Sequence, residues 1–573
     1  MENLETELSC LPAKRGFSVS YKGKTLLSRI DPVAQGERLA AECPMEEKTL
    51  YFCPSPIYGY GISVLIGKLK PNSAILCVEA DEKLFEISKS SLKGYLDLPK
   101  AGAKERPLAL IKTGEAARTC AFVRETWGNR VFRRVKTIRL SGGWQLYPEI
   151  YDETEKALRR EIAVEWGNAM TLIRLGRLYA RNLIRNIALI PSCRDVSAVD
   201  FSSSPVLVLG AGPSLDFTLK ELSSLFGGKI PRRDKRRFKI ICVDTCLSAL
   251  LEREIVSDLA VILESQHWNL EDFSGVRNRE IDAAIDLSAL PASARVLGGR
   301  RFLFATPWTP LALLKRLEES GLLPETLPPL GSVGLSAAAL ALRCGSGPVI
   351  TAGIDFSYTL DSYHALSTPG NLRLERKQNR FRSLINAAAA FRDGSFPAIA
   401  GNGKAVRSDP SMRNYRDLFE REFGGESRLF SVNGTGLPLG VKAVSPEEAF
   451  SVLTAEPAGR PPALNGANET QCRKGSSSPA GVGLPPCDNE RVVKFIRREI
   501  EALEALREIL IGSAPPESLE ELLDGADYLW AHFPECAGGV RRPPITDLGF
   551  LKRVRTEIEP FLNLWEMTLR ELK

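Results

Sequence analysis

Residues 204–222 read SPVLVLGAGPSLDFTLKEL. The apolar run Val206–Leu209 leads directly into Gly-Ala-Gly-Pro-Ser, after which Leu215, Leu219, Leu222 and Leu225 recur at helical spacing. The stretch therefore reads as a buried strand, a glycine turn and a helix. Glycine permits a close backbone approach, Pro213 suits the first helical position, and a helix start offers N–H groups and the positive end of its dipole to an anion. Gly210, Gly212, Pro213 and Ser214 are thus candidates to line a phosphate. Leu215 stands where a dinucleotide fingerprint needs its third glycine, so the NAD-type motif is not met. A tight turn with no ligand is the competing reading.

Working outward, β-rich runs (KIICV, LAVIL, RFLFA, VITAG) alternate with helical ones from about Ser203 to Val444. That alternation predicts an α/β fold, a Rossmann-like and mostly parallel sheet with helices on both faces, over residues 200–450. Upstream, TLYFCPSPIYGYGISVLIGKLK and SAILCVEADEKLFEI read as strand, glycine turn, helix and strand. They imply a smaller α/β domain over residues 1–190, ending in an amphipathic helical bridge from Tyr151 to Ile190. Residues 455–489 are rich in Pro, Gly, Ser and Asn and predict a flexible linker. Residues 490–573 predict a separate helical module, with Val493, Ile496, Ile500, Leu503 and Leu506 as one apolar stripe.

Composition bounds the rest. A chain of 573 residues, 44% hydrophobic and 25% charged, is an ordinary globular protein of about two to four domains. A net charge of +6 gives no reason to expect a nucleic-acid partner. The 12 cysteines lack the paired short spacings of structural zinc sites, and they read as reduced thiols. An acidic start and the lack of any run near roughly 18 apolar residues predict no membrane partner and a cytoplasmic location. Only His267, His364 and His532 are available for imidazole chemistry, and no Asp-x-Asp pair occurs to clamp a metal.

In an open parallel sheet, ligands collect beyond the carboxyl ends of the strands. There lie Asp244 and Thr245 after KIICV, and Glu264, His267 and Trp268 after LAVIL. Asp244 is open to two readings, an acceptor for a ribose hydroxyl or base amino group and a cap for the next helix. A second glycine loop, Gly331, Ser332 and Gly334, precedes a small-residue helix and repeats the anion-friendly geometry. Beyond the strand VITAG come Asp355, Tyr358, Tyr363 and His364, the densest gathering of catalytic side-chain types in the chain. A basic segment follows, with Arg373, Arg376, Lys377, Arg380 and Arg382, then Lys404 and Arg407, which could close over an anionic substrate. The basic run KIPRRDKRRF, 229–238, falls on a crossover and reads as surface.

GAGPSLD (210–216), VDT (243–245), LGSVGLSAAALAL (330–342) and GIDFSYTLDSYH (353–364), with IYGYGISVL and CVEADEKLFEI upstream, together resemble the motility-associated-factor (Maf) family of flagellin glycosyltransferases. The resemblance covers most of the chain, and its central motifs are shared with archaeal 6-hydroxymethylpterin pyrophosphokinases. It implies transfer of a nonulosonic acid, of the pseudaminic or legionaminic type, from a CMP-activated donor to Ser or Thr of flagellin. On that reading Gly210, Gly212, Pro213, Ser214, Asp244, Thr245, Glu264, Gly331, Ser332 and Tyr358 bind the donor, and Asp355 or His364 serves as the base. No cofactor beyond the CMP-sugar is expected, and metal need is left open. Glu264 departs from the Asp expected at that strand end, and the long linker is a second departure.

Three rivals stand beside it. A pyrophosphokinase on the same core would hold Mg²⁺ through Asp244, Glu264 and Asp355. A methyltransferase would use Gly59, Gly61 and Glu79 as a nucleotide site. A non-catalytic flagellin-binding protein would need none of these residues.

Overall fold

The computed structural model describes residues 8–96, 107–128, 131–360, 362–381, 383, 394–432, 434, 436–455, 488–513, 515–537 and 542–572. Most of the expected linker 455–489, and Arg382 of the basic segment, lie outside the described residues. The chain divides into two compact units, Met1–Leu175 with His532–Pro544, and Gly176–Ala531 with Ile545–Lys573.

In the first unit, β1 (Ser9–Pro12), β2 (Phe17–Tyr21) and β3 (Lys24–Thr25) form a small antiparallel sheet. Helix α1 (Pro32–Glu42) is capped by Asp31, which accepts from Ala34 N at 2.8 Å. Then follow β4 (Thr49–Pro54), α2 (Ile62–Lys68), β5 (Ala74–Glu79), α3 (Glu82–Leu96), β6 (Leu108–Lys112), α4 (Ala116–Thr126) and β7 (Arg134–Thr137). The four strands pair in parallel in the order β6-β5-β4-β7. β4 and β5 are buried at every position, which accounts for their unbroken apolar sequences.

The nucleotide reading of this unit does not survive its geometry. The Glu79 carboxylate faces inward, accepting from Ser55 Oγ and Ser88 Oγ at 3.0 Å each, and burial pushes its pKa up to about 7. A ribose-binding acid must face its ligand. Beyond the carboxyl ends of β4 and β7 the chain packs closely on itself: a Cβ on Gly143 would come within 2.0 Å of Ser55 Oγ.

A single 39-residue helix, α5 (Pro148–Asn186), begins in the first unit and ends in the second, close to the expected bridge. The second unit holds β8 (Arg194–Asp195), β9 (Val206–Leu209), α6 (Ser214–Leu225), β10 (Lys239–Val243), α7 (Leu247–Glu252), β11 (Leu259–Ile262), β12 (Asp282–Asp286) and β13 (Arg301–Phe304). After α8 (Ala312–Glu319) and α9 (Val333–Arg343) come β14 (Val349–Ala352), α10 (Pro369–Arg376), β15 (Phe396–Ile399), β16 (Ala405–Ser408) and α11 (Pro410–Phe423). Strands β17 (Leu429–Val432) and β18 (Lys442–Val444) and helices α12 (Pro446–Thr454), α13 (Asn489–Leu510), α14 (Leu519–Gly525) and α15 (Leu548–Glu571) complete it.

Nine strands form one parallel sheet in the order β18-β17-β14-β9-β10-β11-β12-β13-β8. The chain steps outward from β9 to β13 and then returns to place β14 on the other side of β9. That reversal makes the carboxyl ends of β9 and β14 the switch point where such sheets hold ligands. Helix α9 lies against β9, β10, β11 and β14, a proximity its small residues Gly334, Ser336, Ala337, Ala338 and Ala341 allow.

Two expectations are corrected here. The C-terminal helices do not form a module of their own; they belong to the second unit. Val492, Phe495, Ile496, Leu503 and Leu506 of α13 are buried, while Val493 and Ile500 are only half-buried. Glu499 is buried on the same face, held by Arg316 of α8 through two bonds of 2.7 Å. Asp527 also accepts from Ala312 N at 2.8 Å, and Arg177 bonds Glu557 at 2.7 Å. The second correction is the run 229–238, which is not all surface: Arg236 is buried against Asp258, and Arg233 reaches both Asp258 and Asp282.

Candidate functional site

At the switch point the turn after β9 and the loop after β14 lie backbone to backbone. Gly210 N donates to Ala352 O and Gly212 N to Gly353 O, both at 2.8 Å. A Cβ on Gly210 would sit 2.4 Å from Gly353 O, and one on Gly212 would sit 2.6 Å from Asp355 Cγ. These glycines therefore admit the chain's own neighbouring loop. Pro213 takes the cap position of α6, one residue earlier than a first helical residue.

The start of α6 is occupied by Asp355. Its Oδ2 accepts from Ser214 N at 2.7 Å and its Oδ1 from the Ser214 hydroxyl. Burial pushes this carboxyl up to about 6 even though both Ser214 bonds pull it down. The place that the sequence reserved for a phosphate is filled by an internal carboxylate, and Asp355 is too enclosed and engaged to take a proton from an acceptor.

The other expected residue in this loop is disposed differently. His364 is half-buried, with Nδ1 3.3 Å from Ala211 O. Its ring meets Tyr363 edge-on at 4.9 Å, and Tyr363 packs on Tyr358 at 5.2 Å. Tyr358 is buried, held by backbone bonds to Arg407 at 2.9 Å in both directions, and its hydroxyl meets no partner among the described residues. The Gly210 turn, Asp355, Tyr358 and His364 are thus brought together from segments 141 residues apart.

Asp244 does not cap the helix that follows, whose start carries no side-chain cap bond; its carboxylate is turned into the protein. It is 2% exposed; Oδ1 accepts from Thr245 N at 2.9 Å and Oδ2 from Asn269 Nδ2 at 2.7 Å. Thr245 Oγ1 lies 3.2 Å from Asp272 Oδ2, so two carboxylates share one Asn and one Thr. Burial and mutual repulsion push Asp244 up to about 7, and burial pushes Asp272 up to about 6. At the end of β12, Asp286 is also turned inward, accepting from Ser288 N, Thr306 N and Thr306 Oγ1 at 2.7 Å each.

Glu264 differs from these three, being exposed, with Oε1 receiving Gln266 N at 2.9 Å. Burial, and after it the Glu264 charge, raises the Tyr179 phenol to about 12; burial also raises Tyr415, with Glu264 contributing. Gly331 is exposed with φ +68°, and a Cβ there would approach Tyr415 Cε1 to 3.0 Å. Ser332 precedes α9 and makes no side-chain cap bond of its own.

Sequence reasoning missed Tyr179, Asn269, Asp272 and Tyr415. It also missed Asn182 and Asn186, one helical turn apart on α5, whose amides donate to Ser265 O and Ser288 O at 3.0 Å, and to Leu287 O at 2.9 Å and Ala289 O at 2.8 Å. The only signal was two asparagines on the apolar side of a helix, a polar pair in need of partners. In the basic segment Arg373 is paired with Glu271, and Arg407 is tied to Ser395 at 2.6 Å. Arg376, Lys377, Arg380 and Lys404 are exposed, as are His267 and Trp268, whose rings lie tilted to each other at 4.1 Å. Among the described residues no group of three or more His, Cys, Asp or Glu is arranged to hold a metal, and no helix is long and apolar enough to cross a membrane.

A family model for 6-hydroxymethylpterin diphosphokinase MptE-like proteins matches residues 181–361. A protein of Treponema pallidum (strain Nichols), described as uncharacterized, is 29% identical over 566 residues, which is 97% of this chain and 94% of that one. Among solved structures, the Maf glycosyltransferase from Magnetospirillum magneticum AMB-1 has the same fold, with a TM-score of 0.51 and 12% identity over 99% of this chain and 90% of that chain. The structural neighbour and the MptE-like central region agree with the resemblance drawn from the motifs.

Proposed function

We propose that the protein is a glycosyltransferase that moves a nonulosonic acid of the pseudaminic or legionaminic type from CMP to Ser or Thr of flagellin in the cytoplasm. The observation that carries this reading is the convergence of the Gly210 turn with His364 at the switch point of a sheet whose fold is shared with a Maf glycosyltransferase.

The chemistry asks for two things. The leaving group is a phosphate monoester, so its departure needs positive potential more than a general acid. The start of α9 at Gly331 and Ser332 supplies it, with exposed Arg376, Lys377 and Arg380 suited to the donor's carboxylate. The acceptor hydroxyl must lose its proton as its oxygen bonds the anomeric carbon and the bond from that carbon to the CMP oxygen breaks. His364 is suited to take that proton: with Nδ1–H donating to Ala211 O, the ring's lone pair is on Nε2.

The pyrophosphokinase alternative asks Asp244, Glu264 and Asp355 to share an ion, yet two are turned into the protein and the third is exposed. The test is intact-mass measurement of flagellin from cells with and without this chain, alongside thermal shifts with CMP and with ATP/Mg²⁺. A sugar-sized mass difference and a shift with CMP are expected. Unchanged flagellin mass and a shift with ATP/Mg²⁺ alone would transfer the assignment to the kinase.

A further inference from the structure

We propose that Asp355 is a positioning residue of the donor site: its carboxylate, clamped on both polar atoms of Ser214, fixes the Gly210–Ser214 turn and with it the support of His364. The inference rests on the glycosyltransferase reading for the site's purpose, but the clamp itself is a matter of geometry.

Three observations carry it. The carboxylate receives the Ser214 amide at 2.7 Å and the Ser214 hydroxyl, joining the carboxyl end of β14 to the first residue of α6 across the switch point. Its main-chain oxygen receives Leu437 N at 2.8 Å, which anchors the residue from the other side. The turn it holds presents Ala211 O to both His364 Nδ1, at 3.3 Å, and Ala365 N, at 2.9 Å. Displacing Ser214 therefore moves the groups that orient the imidazole.

Asp355 and Ser214 border a cavity of about 150 Å³, whose other walls include Val432, Gly434, Gly436 and Leu437. The two hydrogen bonds to Ser214 hold the carboxyl at the edge of that cavity. Facing it are Ser214 and Gly212 from the start of α6, Gly353 from its own strand end, and Gly436 and Leu437 from the loop after β17. Among the described residues no cation answers its charge; Ser214 does so alone.

Stability and positioning then pull in opposite directions. Because burial lifts the carboxyl from its ordinary 3.8 to about 6, the stability associated with it is full below the lower value and is lost as pH rises through the upper one. The ionised form, which accepts most strongly from Ser214, is the form that folding disfavours. A residue kept for stability alone would not be left in that position.

The test compares the full-length protein with Asp355→Asn and Ser214→Ala. Calorimetry measures CMP affinity between about pH 5 and pH 8, melting measures stability, and hydrogen exchange follows the amides of residues 211–215 and 365. Near neutral pH, D355N should bind CMP about tenfold more weakly yet melt no lower than the wild type, with protection lost at those amides. Wild-type affinity should fall more steeply than that of D355N as pH drops through about 6, the fall left in D355N being that of the CMP phosphate, which titrates in the same range. S214A should move in the same direction by less, and carries the test if D355N fails to fold. Wild-type CMP affinity in D355N with full protection at those amides would overturn the proposal. Normal CMP affinity with transfer abolished while those amides stay protected would overturn it too, since that is the pattern of a base. If the wild type binds no CMP, the donor reading fails by itself, and the exchange data still decide whether the clamp exists.

Discussion

His364 and Ala211 are 153 residues apart in sequence, yet the imidazole Nδ1 lies 3.3 Å from the Ala211 carbonyl oxygen, which also receives the Ala365 N–H at 2.9 Å. A single carbonyl on the turn after β9 thus fixes both the ring and the backbone beside it. Replacing His364 by Gln keeps a donor toward Ala211 and removes the base. Transfer is expected to fall by about 10²- to 10⁴-fold, with CMP affinity within about threefold of the wild type. Parallel rate and calorimetric measurements check this, and transfer at the wild-type rate would end the candidacy of His364.

Glu79 in the first unit is a buried carboxyl raised from 4.5 to about 7, with Oε2 lacking a partner among the described residues. Its contribution to stability is full below about pH 4.5 and is lost as pH rises through about 7. Glu79→Gln is expected to stabilise the unit at pH 8 by on the order of 1–3 kcal/mol, with the gain shrinking toward pH 5. Urea denaturation at the two pH values tests it; a variant less stable at pH 8 would mean that the ionised carboxylate is needed by Ser55 and Ser88.

Asn269 donates to Asp244 at 2.7 Å and lies 3.5 Å from Asp272, separating two acids raised to about 7 and about 6. Asn269→Leu removes the shared donor, and a loss of about 2–4 kcal/mol is expected at pH 8. Both acids take up protons as pH falls, so the loss should diminish toward pH 5. A penalty independent of pH would point to packing instead.

Arg316 holds the buried Glu499 with two bonds of 2.7 Å, and so ties α8 to α13. Arg316→Met strands that charge and should cost about 3 kcal/mol. Lys315→Met, which breaks an exposed pair with Glu319, should leave the melting temperature unchanged. Equal effects in the two variants would refute the docking role. A chain ending before Asn489 would bare the apolar face that meets α13 and is expected to be insoluble.

Much of the architecture was legible because strands and helices carry their own periodicity. VLVL, KIICV, LAVI and VITA appear where the apolar runs predicted, and the long helix and small-residue α9 follow from spacing and residue size. In the C-terminal stripe Ile496, Leu503 and Leu506 are buried as expected, whereas Val493 and Ile500 are half-buried and Glu499 is buried instead, because nothing local announces an arginine partner far away in sequence.

The site was legible as a set of residues and not as a set of roles. Sequence by itself determined which groups arrive at the carboxyl edge, since an acid or glycine that follows a buried strand must lie there. It could not determine which way they face. Asp244, Asp286 and Asp355 are each turned onto the protein's own N–H and O–H groups, while Glu264 is exposed. That division depends on donors from other segments, Asn269, Thr306 and Ser214, which only the tertiary structure brings within reach. A buried carboxylate is tolerable where such donors exist, and without them it must turn to solvent.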